Sequence, residues 1–275
     1  MTRFWFQYHR NKAAVFGLAL VILFTATAIL ADLIAPFGPT STNVGPLLSP
    51  PSVSHLMGTD DIGRDVFSAV VHGIRISIVV GVFTALTSTI IGTIVGAVAG
   101  YLGGWIDHLL MRIVELFLSI PRLFLALLVV ALFGTNLVNV ILVIGFLSWP
   151  PIARIIRAEF LKLRDERFVE AARMLGAGRS NIIFSEILPN TTHLILITAS
   201  LQVPAAIIVE AGLSFLGLGD PHPRSLGLIL SDAYPLLRRA WWTAVFPGLA
   251  LSLIALSFNL TGDGLNDALN PRLRE

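Results

Sequence analysis

Six apolar runs, each reaching or nearly reaching the length that a helix needs to cross a bilayer core, leave this chain few ways to fold. They lie at about Ala13 to Ala35, Ile74 to Tyr101, Ile106 to Phe133, Leu137 to Ala158, His193 to Leu218 and Trp242 to Thr261. A helix rises 1.5 Å per residue, so roughly 20 residues span the hydrocarbon. Backbone amides in lipid must be satisfied internally, which makes helices the form open to runs of this length. Composition agrees, because with 55% hydrophobic residues, 13% charged and a mean hydropathy of +0.81 the apolar surface exceeds what one soluble core can hide. The expected class is an all-α polytopic membrane protein with six transmembrane helices.

At the start, Arg3, Arg10 and Lys12 precede the first run. A cleavable signal peptide also opens this way, but its apolar core is only about 7 to 15 residues, so the longer run here reads as a retained span after a short polar segment, 1–12. From Pro36 to about Gly73 the chain turns polar and carries Pro36, Pro39, Pro46, Pro50 and Pro51, the pattern of an external loop. Residues 13–73 are therefore expected to hold the first helix and this loop. Val66 to His72 reads as a short interfacial helix within it, capped by Thr59 or Asp60. Asp60, Asp61 and Asp65 lack the spacing of a calcium loop, and no metal site is expected. Residues 74–263 form a five-helix core, and 264–275 a polar tail.

Orientation follows from the cations. With the amino terminus in the cytoplasm, that side collects Arg3, Arg10, Lys12, Arg112, Arg154, Arg157, Lys162, Arg164, Arg167, Arg173, Arg179, Arg272 and Arg274, 13 of the 19. The other side receives Arg64, Arg75, Arg224, Arg238 and Arg239, and Arg122 stays inside a span. Cytoplasmic loops carry such an excess, so both termini are expected in the cytoplasm.

Within the spans, Gly92, Gly96 and Gly100 repeat every four residues and offer one face for close helix approach, most simply inside the molecule. Gly103-Gly104 reads as a tight turn, Arg112 and Glu115 as a pair one turn apart, and Pro121 as a helix kink. Arg122, Gln202 and Glu210 are the polar residues a translocation pathway could use, since ionisable groups inside spans usually face a polar cavity. Two alternatives stay open: Arg122 could snorkel, and Glu210, near the outer end, could reach water. Pro204 would loosen the backbone beside them, and Trp241-Trp242 reads as an interfacial belt.

Several chemistries are excluded. There is no GxxxxGK[ST] phosphate loop, and Gly176-Ala177-Gly178-Arg179-Ser180 lacks its lysine. No His-Glu-x-x-His exists, and no paired residues suggest an intramembrane protease. Cysteine is absent, which removes disulfides and thiolate sites. A net charge of +2 indicates no nucleic-acid footprint.

The one long polar segment, Arg154 to Asn190, reads as two short helices broken at Gly176 with the return fixed by Leu188-Pro189. The helix around Phe168 to Leu175 is amphipathic and suits a groove in another protein. Glu170-Ala171-Ala172, Gly176 and Leu188-Pro189 resemble the EAA signature of ABC importer permeases, with Glu186 where the general pattern has isoleucine. Gly58 to Asp65, Ser214 to Gly219, and Phe258-Asn259 with Gly262-Asp263-Gly264 resemble the dipeptide and oligopeptide permease family in its second-permease (C-type) branch. The resemblance runs from about Asn11 to Arg272.

It implies a type I importer permease fold whose cytoplasmic coupling loop, about 159–190, meets the ATPase through Glu170, Ala171, Ala172, Leu175, Gly176, Ala177, Leu188 and Pro189. It also implies a homologous second permease, two ABC ATPase subunits that bind the ATP and magnesium, and an extracytoplasmic substrate-binding protein, in a bacterial or archaeal inner membrane. This chain would then be a non-catalytic subunit without a cofactor. Peptides are the expected cargo; nickel, metal chelates or oligosaccharides are carried by others of the family. A secondary transporter would need its own coupling residues within an internal repeat, which the sequence does not offer.

Overall fold

The computed structural model describes residues 2–269 and is helical throughout its long elements. In order these are α1 (Thr2–Arg10), α2 (Lys12–Ile29), α3 (Ala31–Ile34), α4 (Val66–Leu102), α5 (Gly104–Ser119), α6 (Arg122–Phe133), α7 (Leu137–Leu163), α8 (Arg167–Met174) and α9 (Arg179–Asn181). A π-helical turn, Ile182–Ile187, leads into α10 (Leu188–Leu213), and a second, Ser214–Leu218, closes it. Then come α11 (Leu226–Ala233) and α12 (Trp242–Leu269). Arg272 and Arg274, expected in the cytoplasmic tail, lie outside the described residues.

Among the described residues, five helical stretches are long and apolar enough to cross a membrane: α2, α4, α7, the continuous Arg179–Leu218 and α12. The sixth crossing is a broken one. Instead of the kinked single helix expected at Pro121, α5 and α6 meet at 88°. Ile120 is extended (φ −100°, ψ 129°), the conformation that a following proline favours, and this ends α5 outright. α4 and α7 run parallel, with Gly92 against Ile152 and Gly100 against Phe160. The chain enters α5 beside the Gly100 and Phe160 level. It leaves α6 just before Leu137, 23 residues earlier on α7 and so about 35 Å away along its axis. The bent pair therefore carries the chain from one end of the bundle to the other.

Three other expectations are corrected. The interfacial helix expected at Val66 to His72 is continuous with the second span, giving a 37-residue α4. Its cap is neither Thr59 nor Asp60 but Asp65, whose Oδ2 accepts from the Ser68 amide at 2.8 Å and the Ser68 hydroxyl at 2.7 Å. α12 continues past Thr261 to Leu269, so the expected tail begins as helix, and Asn11 donates to Asp267 at 2.9 Å where α2 and α12 meet. α10 passes through Pro204 without a break.

Packing is set by small residues. Lipid supplies no hydrophobic drive between helices, so close backbone approach carries their association. A Cβ on Gly96 would stand 2.6 Å from the Ala153 carbonyl, and one on Gly100 2.6 Å from Phe160 Cβ, which makes the four-residue glycine repeat the α4–α7 seam. Gly81 meets Ile207 of α10, and Gly17 of α2 meets Leu260 of α12, in the same way.

At the end of the bundle away from α8, the Gly58 to Asp65 motif forms a tight knot. Thr59 is fully buried, donates to the Pro46 carbonyl at 2.5 Å and accepts from the Ser49 amide at 2.9 Å. The Trp242 indole donates to the Thr59 carbonyl at 3.1 Å. Trp242 is thus a buried anchor and not part of a lipid-facing belt; Trp241 beside it is exposed. His55 and Asp65 meet at 2.9 Å beneath the knot. Charges at this end are paired locally: Arg75 grips Asp32 at 2.8 Å, and its guanidinium holds the Asp32 carboxyl below the usual carboxylate range. Arg224 bonds Asp232, and burial, with the Arg64 charge nearby, pushes the Arg224 guanidinium down to about 10.

Candidate functional site

The polar segment expected to dock on another protein folds as one rigid projection. α8 is amphipathic and presses a single large residue, Val169, into a buried cluster with Ile156 and Phe160 of α7 and Ile182 and Ile187 of the π-helical turn. Ala172, Ala177 and Leu188 pack around the same cluster. The outward face of α8 carries Glu170, Ala171, Met174 and Leu175, the last two each 89% exposed.

The turn that follows explains why Gly176 stands there. The Ala177 amide donates to the Ala172 carbonyl and the Gly176 amide to the Arg173 carbonyl, both at 3.0 Å, a Schellman cap. Such a cap needs a residue in the left-handed region, and Gly176 has φ +82°. No atom lies within 4 Å of where its Cβ would be, so the requirement is one of backbone conformation alone.

A π-helical turn, Ile182–Ile187, contains the departure at Glu186. Its wider winding places Ile182 and Ile187, five residues apart, on one buried face. Ile187 supplies the apolar contact, and Glu186 is left half-buried with its carbonyl accepting from Asn190 at 2.6 Å. Pro189 then sits in the first turn of α10, directly after the π-helical turn. All eight residues of the loop singled out in the sequence therefore lie on α8, its cap, or the start of α10, and Ile187 joins them.

The three polar residues of the spans are less unified. Arg122 is the first residue of α6, at the break, and donates to the Ser148 hydroxyl at 3.3 Å. Gln202 lies on α10 with its Nε2 buried and without a partner. Glu210 does not reach water: it is 2% exposed, and its Oε1 accepts from the Ser214 hydroxyl at 2.5 Å. No hydrogen bond or ion pair among the described residues joins the three. Leu123, beside Arg122, does approach Gly212, two residues from Glu210.

The Ser214 to Gly219 motif is a device for holding that carboxyl. Gly217 turns the backbone at φ +85°, and Gly219 folds against Ser214, leaving no room for a side chain there. α11, which the proline-rich look of this region concealed, follows at once. Its N-cap Ser225 accepts from Leu228, a cap that the sequence displays but the nearby prolines obscure. Gly227 then lets α11 touch Ala211, its would-be Cβ 2.5 Å from the Ala211 Cα.

The described residues thus form an all-helical membrane bundle with a short capped helix projecting from one end. The chain belongs to the family of inner membrane components of binding-protein-dependent transport systems, whose pattern matches residues 92–275. Residues 1–51 match the N-terminal transmembrane domain of oligopeptide transport permease C. The chain is 44% identical to the dipeptide transport system permease protein DppC of Escherichia coli K12, an alignment covering all of this chain and 94% of that protein. It is 40% identical to the DppC of Alkalihalophilus pseudofirmus, over 98% of this chain and 88% of the relative, and 37% identical to that of Haemophilus influenzae, over 100% and 96%.

Proposed function

We propose that the chain is the permease subunit of an ATP-driven importer for dipeptides or oligopeptides, forming half of the translocation pathway and receiving ATPase motion through α8. The observation that carries this is the projection itself: Met174 and Leu175 stand out in solvent on a helix whose cap and buried face fix its orientation. An apolar tip exposed in this way is costly unless a partner covers it. The relatives named above are dipeptide permeases, which favours peptides as the cargo.

In this reading the excess of arginine and lysine puts α8 and both termini in the cytoplasm, beside the two ATPase subunits that bind ATP and magnesium. A homologous permease supplies the other half of the pathway, and an extracytoplasmic binding protein delivers substrate to the Thr59 and Trp242 end. Glu170, Ala171, Ala172, Leu175, Gly176, Ala177, Leu188 and Pro189 transmit force and catalyse nothing. Arg122, Gln202 and Glu210 border the pathway or brace the helices that do.

Reconstitution tests the reading. Proteoliposomes holding this chain, its paired permease, the ATPases and the binding protein should take up labelled dialanine only with ATP. Uptake by this chain alone would sink it. Glu170→Lys, which reverses a charge on the exposed face of α8, should lower ATPase co-purification without loss of membrane insertion; unchanged co-purification would remove Glu170 from the contact.

A further inference from the structure

Three arginines clasp the turn between α4 and α5 from three different places. Arg173, exposed on α8, reaches back towards α4: its Nη2 donates to the Arg164 carbonyl at 3.2 Å, and its guanidinium lies 6.0 Å from the centre of the Tyr101 ring on the last turn of α4. Arg164, in the link between α7 and α8, donates to the Gly100 carbonyl at 3.3 Å. Arg157, on α7, meets Asp107 on α5 with both prongs, Nε to Oδ1 at 2.5 Å and Nη2 to Oδ2 at 2.6 Å. None of the four charged residues belongs to the loop signature.

The Asp107–Arg157 pair borders a polar cleft of about 270 Å³ shared with His108, Arg112 and Glu115, with Asp107 buried and Arg157 partly exposed. What a two-pronged pair provides is alignment, because a planar fork on a carboxylate resists the sliding that apolar contacts permit. α5 runs from Asp107 through Phe117 to the break at Pro121, directly before Arg122. A displacement at Asp107 is therefore delivered to the joint between α5 and α6.

We infer that Arg173, Arg164 and the Arg157–Asp107 pair are positioning residues that form a second transmission route. It carries displacement of α8 to α4 and α5, alongside the apolar contact through Val169. This deepens the importer reading and rests on it.

The test uses the complete reconstituted complex, with ATP hydrolysis and labelled dialanine uptake measured on the same vesicles. Arg173→Ala, Asp107→Asn and Arg157→Asp should each lower the dipeptide delivered per ATP by roughly 2- to 30-fold, the range of coupling through contiguous networks, at wild-type ATPase co-purification. The exchange Asp107→Arg with Arg157→Asp should restore that ratio. A purely structural role would reduce the yield of complex and leave the ratio of the surviving complexes unchanged. An unchanged ratio in Arg173→Ala and Asp107→Asn, or an exchange that restores nothing, would overturn the inference. Absence of ATP-driven uptake by the wild-type complex would instead sink the importer reading.

Discussion

Gly176 holds φ at +82° in open space, so the consequence of replacing it can be argued from the backbone alone. Gly176→Val would force a β-branched residue into the left-handed region, at a cost of about 1 to 2 kcal/mol, or release the cap and let α8 swing. The expected outcome is ATP hydrolysis that no longer drives uptake, in a complex inserted at wild-type level; intact coupling would show that the cap does not matter. This residue was legible in the sequence because a glycine directly after an amphipathic helix has one common use. Glu210 was legible only as a charge within a span. Its partner Ser214 stands four residues on, at ordinary helical spacing, so the pairing was within reach of the sequence while the burial was not.

Between elements, the α4–α7 seam decides how rigidly the loop is mounted, since α8 follows directly from α7. Gly96→Leu would drive the two helices apart, with an overpacking cost of about 1 to 3 kcal/mol. Thermal unfolding of the detergent-purified protein should move to lower temperature, while Gly178→Ala, with no atom within 4 Å of its Cβ position, should leave it unchanged. The seam could be anticipated because its glycine spacing is local. The break at Pro121 was read as a kink because proline inside a long apolar run usually bends a helix that continues on both sides. Here Ile120 takes the extended conformation, and Ala126 and Val130 of α6 pack in the new direction against Val140, Ile144 and Leu147 of α7.

At the level of the whole molecule, the knot at Gly58 to Asp65 is tied to α12 by one indole. Trp242→Phe keeps most of the volume but leaves the Thr59 carbonyl buried without its donor, costing about 1 to 3 kcal/mol. Lowered thermal stability with ATPase co-purification unchanged is the expected result, because the knot and α8 lie at opposite ends.

The sequence by itself determined the helical class, the apolar runs and the shape of the polar loop between α7 and α10. Each of these depends on residues close together along the chain: apolar run length, helical periodicity, and glycine and proline at helix ends. Only the tertiary structure decided that Trp242 is an anchor, that Glu210 is sealed from water, and that Arg157, Arg164 and Arg173 converge on one turn. Those facts join residues as far as 183 positions apart. No local propensity carries information over that distance, and it arises only when the helices are packed.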